Sequence, residues 1–418
     1  MTPRVCWVVG AGPAGMYATQ AILRSLEDVH VVLADRRRVP FGLGRFGIAP
    51  DHPKMRRVVT PLERIVEDDR VTFIGGVEVS AARLAELAPG FDAVVIASGA
   101  GADHPTDLGD TLASREVFGW YNADHGVDTA RVEEALGADR EVVVVGGGNV
   151  SIDIVRLLAV GEDRLRATDL PERVVDVLVA RPRRPVHLVV RSAASELKFS
   201  APMITELVHE LGLRVRVRRH ESYWGGSSDS PSDERRSSLE LAVSGDDLDV
   251  DVVIHLGAQA ARAADGAIEI SSTVDGGSLV RLAEATVITA IGYGPGALMT
   301  DLRAAPSWPE NAYVCGWAGN GAKGVLGTNK ADALRIVEQI REGLAPGDSR
   351  RLDPAAAVAA VRSLADDPVG IEEWRATVDA EILEATRTGR GVERIRLQPG
   401  ADGLQFGTER KESLPWPT

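Results

Sequence analysis

The feature that most constrains the fold is a glycine-rich turn between an apolar strand and a helical segment near the start of the chain. The stretch VVGAGPAG places glycines at positions 10, 12 and 15, and the following strand, VHVVLADR, reaches Asp35. The first glycine permits a tight turn, the second lets a pyrophosphate approach the backbone, and the third lets helix and strand pack closely. An acid at the end of the second strand accepts hydrogen bonds from ribose hydroxyls. The pattern predicts a dinucleotide site with the contacts Gly10, Gly12, Pro13, Ala14, Gly15, Asp35 and Arg36.

A second turn of the same kind lies in VVVVGGGNVSIDIVRLL, which gives Gly146-x-Gly148-x-x-Ser151. The next long apolar strand, PVHLVVRS, carries Arg191 where an NAD site carries an acid. An arginine there suits a 2′-phosphate and favours NADP. The alternative is that Arg191 is a solvated surface residue. The predicted NADP contacts are Gly148, Asn149, Val150 and Arg191, with helix capping as the alternative role of Asn149.

The spacing of apolar strands predicts an α/β fold with two Rossmann-like domains. Seven strand-like runs are expected at Val5–Val9, Val29–Leu33, Ala93–Ala97, Val142–Val145, Val186–Val190, Val252–Leu256 and Ala285–Ile291. Short, wholly apolar strands that alternate with helices indicate parallel sheets covered on both faces. The runs FDAVVIASGA and EATVITAIGYG are interpreted as paired connections between the domains. The predicted FAD domain is residues 1–100 plus 291–418, and the inserted NAD(P)H domain is residues 101–290, with a helical, then loop-like, C-terminal part.

Charge and composition exclude several classes of function. The chain has 418 residues and a formal charge of −14, which argues against nucleic acid as a general partner. Its two cysteines, Cys6 and Cys315, are too few and too far apart for a disulfide framework, a thiolate metal site or a redox dithiol. No apolar run approaches the ~18–20 residues of a membrane span. With a strand expected from the first residues and no signal peptide, the sequence predicts a cytoplasmic protein that needs no metal.

Four longer motifs resemble the adrenodoxin reductase-type ferredoxin–NADP reductases. They are PFGLGRFGIAPDHPK at Pro40–Lys54, VFGWYN at Val117–Asn122, the second glycine turn, and YVCGWAGNGAKGVLGTNKADA at Tyr313–Ala333. The resemblance covers most of the chain and is weakest from about Glu221 to Val280. It implies a flavoprotein that takes hydride from NADPH onto FAD and passes electrons singly to a ferredoxin-like iron–sulfur protein.

The resemblance also implies site residues. His52 and Glu206 are expected to meet near the nicotinamide as the catalytic pair, and Trp317 to lie near the flavin ring. A loop hydrogen-bonding role for His52 and a solvated position for Glu206 are the alternatives. The remaining flavin contacts that we expect are Gly42, Leu43, Val79, Ser98, Gly99, Gly324, Val325, Leu326 and Thr328. The helix after GVLGTNK is expected to point its amino terminus at the ring.

Three departures from the family pattern leave the electron acceptor open. Ser192 stands where the family commonly has a second arginine, the loop from Trp317 to Gly324 lacks the usual basic pattern, and the second domain is short after Glu221. Loops carry partner and substrate specificity. A small organic substrate is therefore the alternative to an iron–sulfur protein, and NADH the alternative to NADPH. A sensor without turnover is a third reading. The segment Arg181–Arg219, with nine basic and three acidic residues, favours an acidic partner protein, although these arginines could simply be solvated.

Overall fold

A computed structural model describes residues 3–192, 196–220, 223, 239, 250–322, 326–344 and 352–397. Within these residues two parallel sheets each form the centre of a lobe. The first sheet has the strand order β16-β4-β1-β2-β3, and all four pairings are parallel. Its strands are β1 (Arg4–Val9), β2 (Val29–Asp35), β3 (Val71–Gly75), β4 (Ala93–Ile96) and β16 (Ala312–Val314).

Both faces of the first sheet are buried, which is why its strands are mostly apolar rather than alternating. Along β1, Cys6 and Val8 pack into one core cluster, whereas Val5, Trp7 and Val9 pack into another on the opposite face. The helices that provide these two layers are α1 (Pro13–Ser25), α4 (Thr60–Val66), α5 (Ala81–Leu87), α12 (Ala297–Ala304), α14 (Leu326–Gly343), α15 (Pro354–Arg362) and α16 (Ile371–Thr388). We call this sheet with its helices the first lobe.

The second sheet has the order β6-β14-β7-β8-β10-β9 and is also parallel. Its strands are β6 (Leu112–Ala113), β7 (Glu141–Val145), β8 (Val186–Val190), β9 (Val215–Arg219), β10 (Val252–Leu256) and β14 (Ala285–Thr289). The accompanying helices are α6 (Ser114–Tyr121), α7 (Thr129–Gly137), α8 (Asn149–Ala159), α9 (Glu162–Arg166), α10 (Glu172–Ala180) and α11 (Ala201–Thr205), which continues as a π-helical turn over Glu206–Glu210.

A small antiparallel sheet covers the other face of the second sheet. Its strands are β11 (Ala258–Arg262), β12 (Ile268–Ser272) and β13 (Ser278–Leu282). Ile268, Ile270 and Leu282 pack there against Val143 and Val189 of the large sheet. The second sheet, its helices and this small sheet form the second lobe.

The chain passes between the lobes through a two-stranded antiparallel ribbon. Its strands, β5 (Ala100–Asp103) and β15 (Tyr293–Pro295), follow β4 and β14 respectively. In the described ranges, three further α-helices are short, namely α2 (Leu43–Phe46), α3 (Pro53–Arg56) and α13 (Trp317–Asn320), and so are the 3₁₀ helices Arg57–Val59 and Ala88–Gly90. The ribbon lies near residues 100 and 291, and the domain division predicted at these positions stays a prediction.

The predicted fold class, with a dinucleotide-binding unit inserted into another, is confirmed. All seven predicted strands are present, each within two residues of its expected ends. Most of the Glu221–Ser238 loop lies outside the described residues. Among the described helices, none is long and apolar enough to cross a bilayer. The same residues contain no cluster of three or more His, Cys, Asp or Glu side chains that could hold a metal ion.

Candidate functional site

The first glycine turn is crowded, and its glycines are needed for different reasons. Gly10 has φ of +108°, and a Cβ there would overlap the carbonyl of Ala97 at the end of β4. A Cβ on Gly15 would overlap the carbonyl oxygen of Gly10, so that only glycine lets α1 pack this close to β1. Gly12 precedes α1, and Pro13 takes its first position, where no backbone donor is required.

A second chain segment crosses the turn at Gly12. Gly42 has φ of +45°, and a Cβ on it would lie 3.0 Å from the Cα of Gly12. The neighbouring Phe41 donates its backbone N–H to the carbonyl of Ala11 over 2.8 Å. Leu43, which follows Gly42, is partly exposed beside this crossing. Two glycines face to face leave bare backbone on both sides, which fits the close approach of a pyrophosphate.

Asp35 lies at the end of β2, where the pattern placed it, and it also holds the turn together. Its carboxylate accepts the N–H of Ala11 over 2.7 Å and that of Arg37 over 2.8 Å. Burial raises the pKa of Asp35, against the lowering effect of Arg37 and of both N–H donors. Each carboxylate oxygen keeps a second lone pair for a ribose hydroxyl. Arg36 is exposed beside it.

Several predicted flavin contacts lie near the carboxyl ends of the first sheet's strands. Ser98 and Gly99 follow β4, with Gly99 at φ of +75°, and Val79 is buried in the segment after β3. After β16, a Cβ on Gly316 would overlap the side chain of Ala14 on α1. Ligands bind at this end of an open parallel sheet. The arrangement fits a nucleotide that runs from Asp35 along the start of α1.

Trp317 begins α13 directly after Gly316 and is half-buried. Its ring stacks on that of Tyr293 from the ribbon between the lobes, with centroids 6.2 Å apart. Gly324 and Val325 lie outside the described residues. The following helix begins at Leu326, and Thr328 is exposed in its first turn.

The second glycine turn is more open. Gly146 has φ of +155° and abuts the carbonyl of Ala290, but a Cβ on Gly148 would meet no atom within 4 Å. Ser151, in the third motif position, donates its hydroxyl to the carbonyl of Gly148 over 2.6 Å. A small polar residue is therefore accommodated where the first turn demands glycine.

The residues around the second turn have the following surroundings. Asn149 Oδ1 accepts the backbone N–H of Ser200, the residue before α11, so that it links the start of α8 to the start of α11. Val150 packs on the core of the second lobe. Arg191 is exposed and directly follows β8, which pairs with β7. Gly147 of the turn packs against Val190, the residue before Arg191. This position leaves the Arg191 guanidinium accessible beside the turn.

In the described structure, His52 and Glu206 share no hydrogen bond or ion pair with each other, and Arg156 contacts both; the expected catalytic pair stays a prediction. His52 Nε2 lies 2.6 Å from Arg156 Nη2 and 3.2 Å from Asp153 Oδ1. Arg156 Nη1 donates to Glu206 Oε2 over 3.2 Å. The reason is that α8 interposes a fully buried guanidinium between the loop of the first lobe and the helix of the second.

The sequence interpretation missed Asp153 and Arg156, although a signal was present. Both are charged residues within the otherwise apolar segment IDIVRLL of α8, at positions i and i+3. Residues with this spacing share one helix face. An arginine on a helix face that should be buried indicates an acidic partner from another part of the protein. For Arg156 this partner is Asp51.

The motif VFGWYN contains Asn122, which holds the loop before His52 in place. Asn122 Nδ2 donates to the carbonyls of Phe46 over 3.0 Å and Ile48 over 3.3 Å, and its Oδ1 accepts from Arg56. Arg56 also donates to the carbonyls of Ile48 and Ala49. These bonds hold the backbone that leads to His52. The stiff GIAPDHPK loop is thus fixed to the second lobe by side chains.

The expectation of one basic surface over Arg181–Arg219 is wrong for three of its arginines. Arg181 is buried and donates to the carbonyl of Leu158. Arg184 pairs with Asp139 over 2.8 Å, and Arg214 pairs with Asp251 over 3.3 Å. The segment runs from α10 through the inner strand β8 to β9 at one edge of the second sheet, so its basic residues are spread over several elements.

Comparisons with known proteins agree with this architecture. Cindoxin reductase of Citrobacter braakii is 30% identical over 436 residues, which cover 96% of this chain and 91% of the relative. The mitochondrial NADPH:adrenodoxin oxidoreductase of Drosophila melanogaster is 26% identical and covers 94% and 91%. The solved structure of Mycobacterium tuberculosis FprA in complex with NADPH matches with a TM-score of 0.78 at 24% identity, covering 94% of this chain and 97% of that one. No family model matches the chain.

Proposed function

The chain belongs to the adrenodoxin reductase-type family of ferredoxin–NADP reductases, and from that premise we propose how its residues divide the work. It is an FAD-dependent oxidoreductase that uses NADPH and passes electrons to a ferredoxin-like iron–sulfur protein. We assign FAD and NADPH to different lobes because two glycine turns lie on separate parallel sheets, and the lobes are joined through His52 and Arg156.

The first lobe would hold FAD. The turn Gly10–Gly15 receives the pyrophosphate at the start of α1, and Asp35 receives the adenosine ribose. Gly42, Ser98 and Gly99 border the same strand ends. Bound FAD supplies the redox chemistry, since it accepts a hydride from NADPH and gives up two electrons one at a time, with one proton released.

The second lobe would bind NADPH at the turn of Gly146 to Ser151. Gly148 and the start of α8 receive its pyrophosphate, and Arg191 pairs with the 2′-phosphate. With Ser192 in place of a second arginine, one guanidinium carries the selectivity for NADPH over NADH. His52 and Glu206 lie between the two turns, where the nicotinamide meets the flavin. There His52 Nε2 and the Glu206 carboxylate orient the nicotinamide, and His52 is the group that holds or releases a proton.

Anaerobic spectroscopy of the purified, FAD-loaded protein tests this function. NADPH should bleach the flavin absorbance faster than NADH, and an oxidised ferredoxin should restore it while becoming reduced itself. A bleached flavin that no ferredoxin reoxidises would count against the iron–sulfur acceptor. A flavin that neither nucleotide bleaches would overturn the enzyme as a whole.

Ionic strength tests the contact with the acceptor. Attraction between an acidic ferredoxin and basic surface groups weakens as salt rises. Because Arg181 is buried and Arg184 and Arg214 are paired with aspartates, we expect a weaker salt dependence than nine unpaired charges would give. A reducing compartment such as the cytoplasm is the proposed location, because the sequence has only two cysteines, Cys6 and Cys315, and both are buried. Cell fractionation checks it.

A further inference from the structure

Arg156 is the only fully buried group among the charged side chains that meet at His52 in the described structure. Its side chain is 0% exposed, and its acceptors come from both lobes. Nε donates to Asp51 Oδ2, and Nη1 donates to Glu206 Oε2. Nη2 has three acceptors within reach: Asp153 Oδ1 at 2.7 Å, Asp51 Oδ1 at 2.8 Å and His52 Nε2 at 2.6 Å.

These three contacts of Nη2 cannot all be hydrogen bonds at the same time. A guanidinium Nη carries two hydrogens, so one of the three acceptors goes without a donor. His52 Nε2 has a second neighbour, Asp153 Oδ1, at 3.2 Å. A neutral imidazole whose Nε2 carries the lone pair accepts from Arg156. An imidazole with a proton on Nε2 donates to Asp153 instead and leaves both Nη2 hydrogens to the two aspartates.

The surrounding charges allow either state. Asp51, Asp153 and Glu206 contribute three negative charges and Arg156 one positive charge, so a proton on His52 reduces the excess negative charge. The Asp153 bond raises the pKa of His52, against burial and the Arg156 charge. Two further groups face the cluster: Arg56, whose N–H donates to the His52 carbonyl, and the buried phenol of Tyr121, whose pKa is raised well above its usual value by burial.

We infer that Arg156 is a positioning residue that exchanges hydrogen-bond partners as His52 gains or loses a proton at Nε2, and so keeps the two lobes joined in both states. When His52 is neutral, Arg156 holds its ring directly. When His52 is protonated, Asp153 holds the ring, and Arg156 stays bonded to Asp51 of the first lobe. This inference rests on the proposed role of His52 at the site of hydride transfer.

Histidine NMR of the FAD-loaded protein, labelled at the imidazole carbons and nitrogens, tests this exchange without using turnover. His52→Gln identifies the His52 signal by its disappearance. In the unchanged protein at high pH, the nitrogen shifts should show Nε2 as the unprotonated nitrogen. In Arg156→Gln that preference should vanish, and the His52 titration midpoint should rise by roughly one pH unit or more, because a positive neighbour is removed.

Arg390→Gln is the matched control. Arg390 is also a buried arginine between the lobes, but it donates to Glu172 and to the carbonyls of residues 165, 166, 168 and 170. The His52 signal should be unchanged in this variant. Should Arg156→Gln fail to fold, Asp153→Asn replaces it, and the His52 midpoint should then fall because the acceptor for the protonated state is lost.

An unchanged His52 midpoint and tautomer in Arg156→Gln, or an unchanged midpoint in Asp153→Asn, would overturn the inference. The proposed catalytic role fails differently. If His52→Gln accepts hydride from NADPH at the rate of the unchanged protein, His52 is not part of that site, whatever the NMR titration shows.

Discussion

The two glycine turns follow nearly the same sequence pattern but build different environments. At the first turn, Gly10 and Gly15 have no room for a side chain, Gly42 crosses directly over Gly12, and the Asp35 carboxylate ties down the backbone of Ala11. At the second turn, Gly146 is as confined as Gly10, but a Cβ on Gly148 would meet no atom within 4 Å, and Ser151 takes the third motif position. A turn closed by a crossing segment suits a group that stays bound, whereas an open turn suits one that exchanges in every cycle.

The difference originates outside the motifs. The first turn is enclosed by residues far along the chain, at positions 41 and 42 and at Gly316, which packs on Ala14. Among the described residues, the second turn is approached by Ala290, Val190 and Ser192, which lie on or directly after strands of its own sheet, and Asn149 bonds to Ser200 before α11. Under the proposed function, the segments that pack across the first turn would make it the site of the resident cofactor, and the second turn would serve the nucleotide that exchanges.

The largest effect is expected from Gly15→Ala, which tests how tightly the first turn is closed. The added Cβ overlaps a backbone oxygen that cannot move away like a side chain. Overpacking of this kind costs about 1–3 kcal/mol, and more where backbone must shift. We expect a lower melting temperature and loss of FAD, measured as the flavin-to-protein absorbance ratio.

Gly148→Ala is the control on the open turn. Its φ of −103° suits alanine, and no atom is within 4 Å of the new Cβ. FAD content should be unchanged and stability should change by less than about 1 kcal/mol. The KM for NADPH should rise, because the methyl group stands where the pyrophosphate approaches. Equal FAD loss in both variants would contradict the distinction between the turns.

Arg191→Ala tests whether the open turn selects its nucleotide by one charge. Loss of a hydrogen bond to a charged group costs about 1.5–3 kcal/mol, or roughly 10- to 150-fold in kcat/KM for NADPH. The value for NADH should stay within about twofold. Arg184→Ala, at the opposite end of the same strand and paired with Asp139, should change neither. A parallel loss for both nucleotides would refute the 2′-phosphate role.

Local patterns in the sequence predicted the strands, both turns and their order, because apolar runs and glycine spacing are set by neighbours in the chain. They did not predict the partner of His52. Asp153 and Arg156 lie about a hundred residues away, and their meeting depends on how the lobes pack. The basic segment failed for the same reason, since counting charges does not show that Arg181 is buried and that Arg214 is paired.

Ser151→Ala should have a smaller effect and tests what the third motif position contributes in the open turn. The Ser151 hydroxyl donates to the Gly148 carbonyl over 2.6 Å in a buried position. Loss of one such bond costs about 0.5–1.5 kcal/mol, and alanine fits the helix well. We expect a small decrease in the urea midpoint with FAD retained. A collapse as large as that of Gly15→Ala would mean that the second turn is as constrained as the first.

The smallest effect is expected at His52, where the two lobes meet. It is a change in how the free energy of unfolding depends on pH. Its pKa is raised in the folded protein, so protonation favours folding. This contribution is fully present below the unfolded value of about 6.5 and disappears as pH rises through the folded value. The stability lost in His52→Gln, from urea unfolding of the FAD-loaded protein, should therefore be larger at acidic than at alkaline pH. His30→Gln should show the opposite trend, because burial lowers the pKa of His30. If the stability lost in both variants changes with pH in the same way, the charged surroundings of His52 do not favour its protonation. The contact of His52 with Arg156 between the lobes would then not respond to pH.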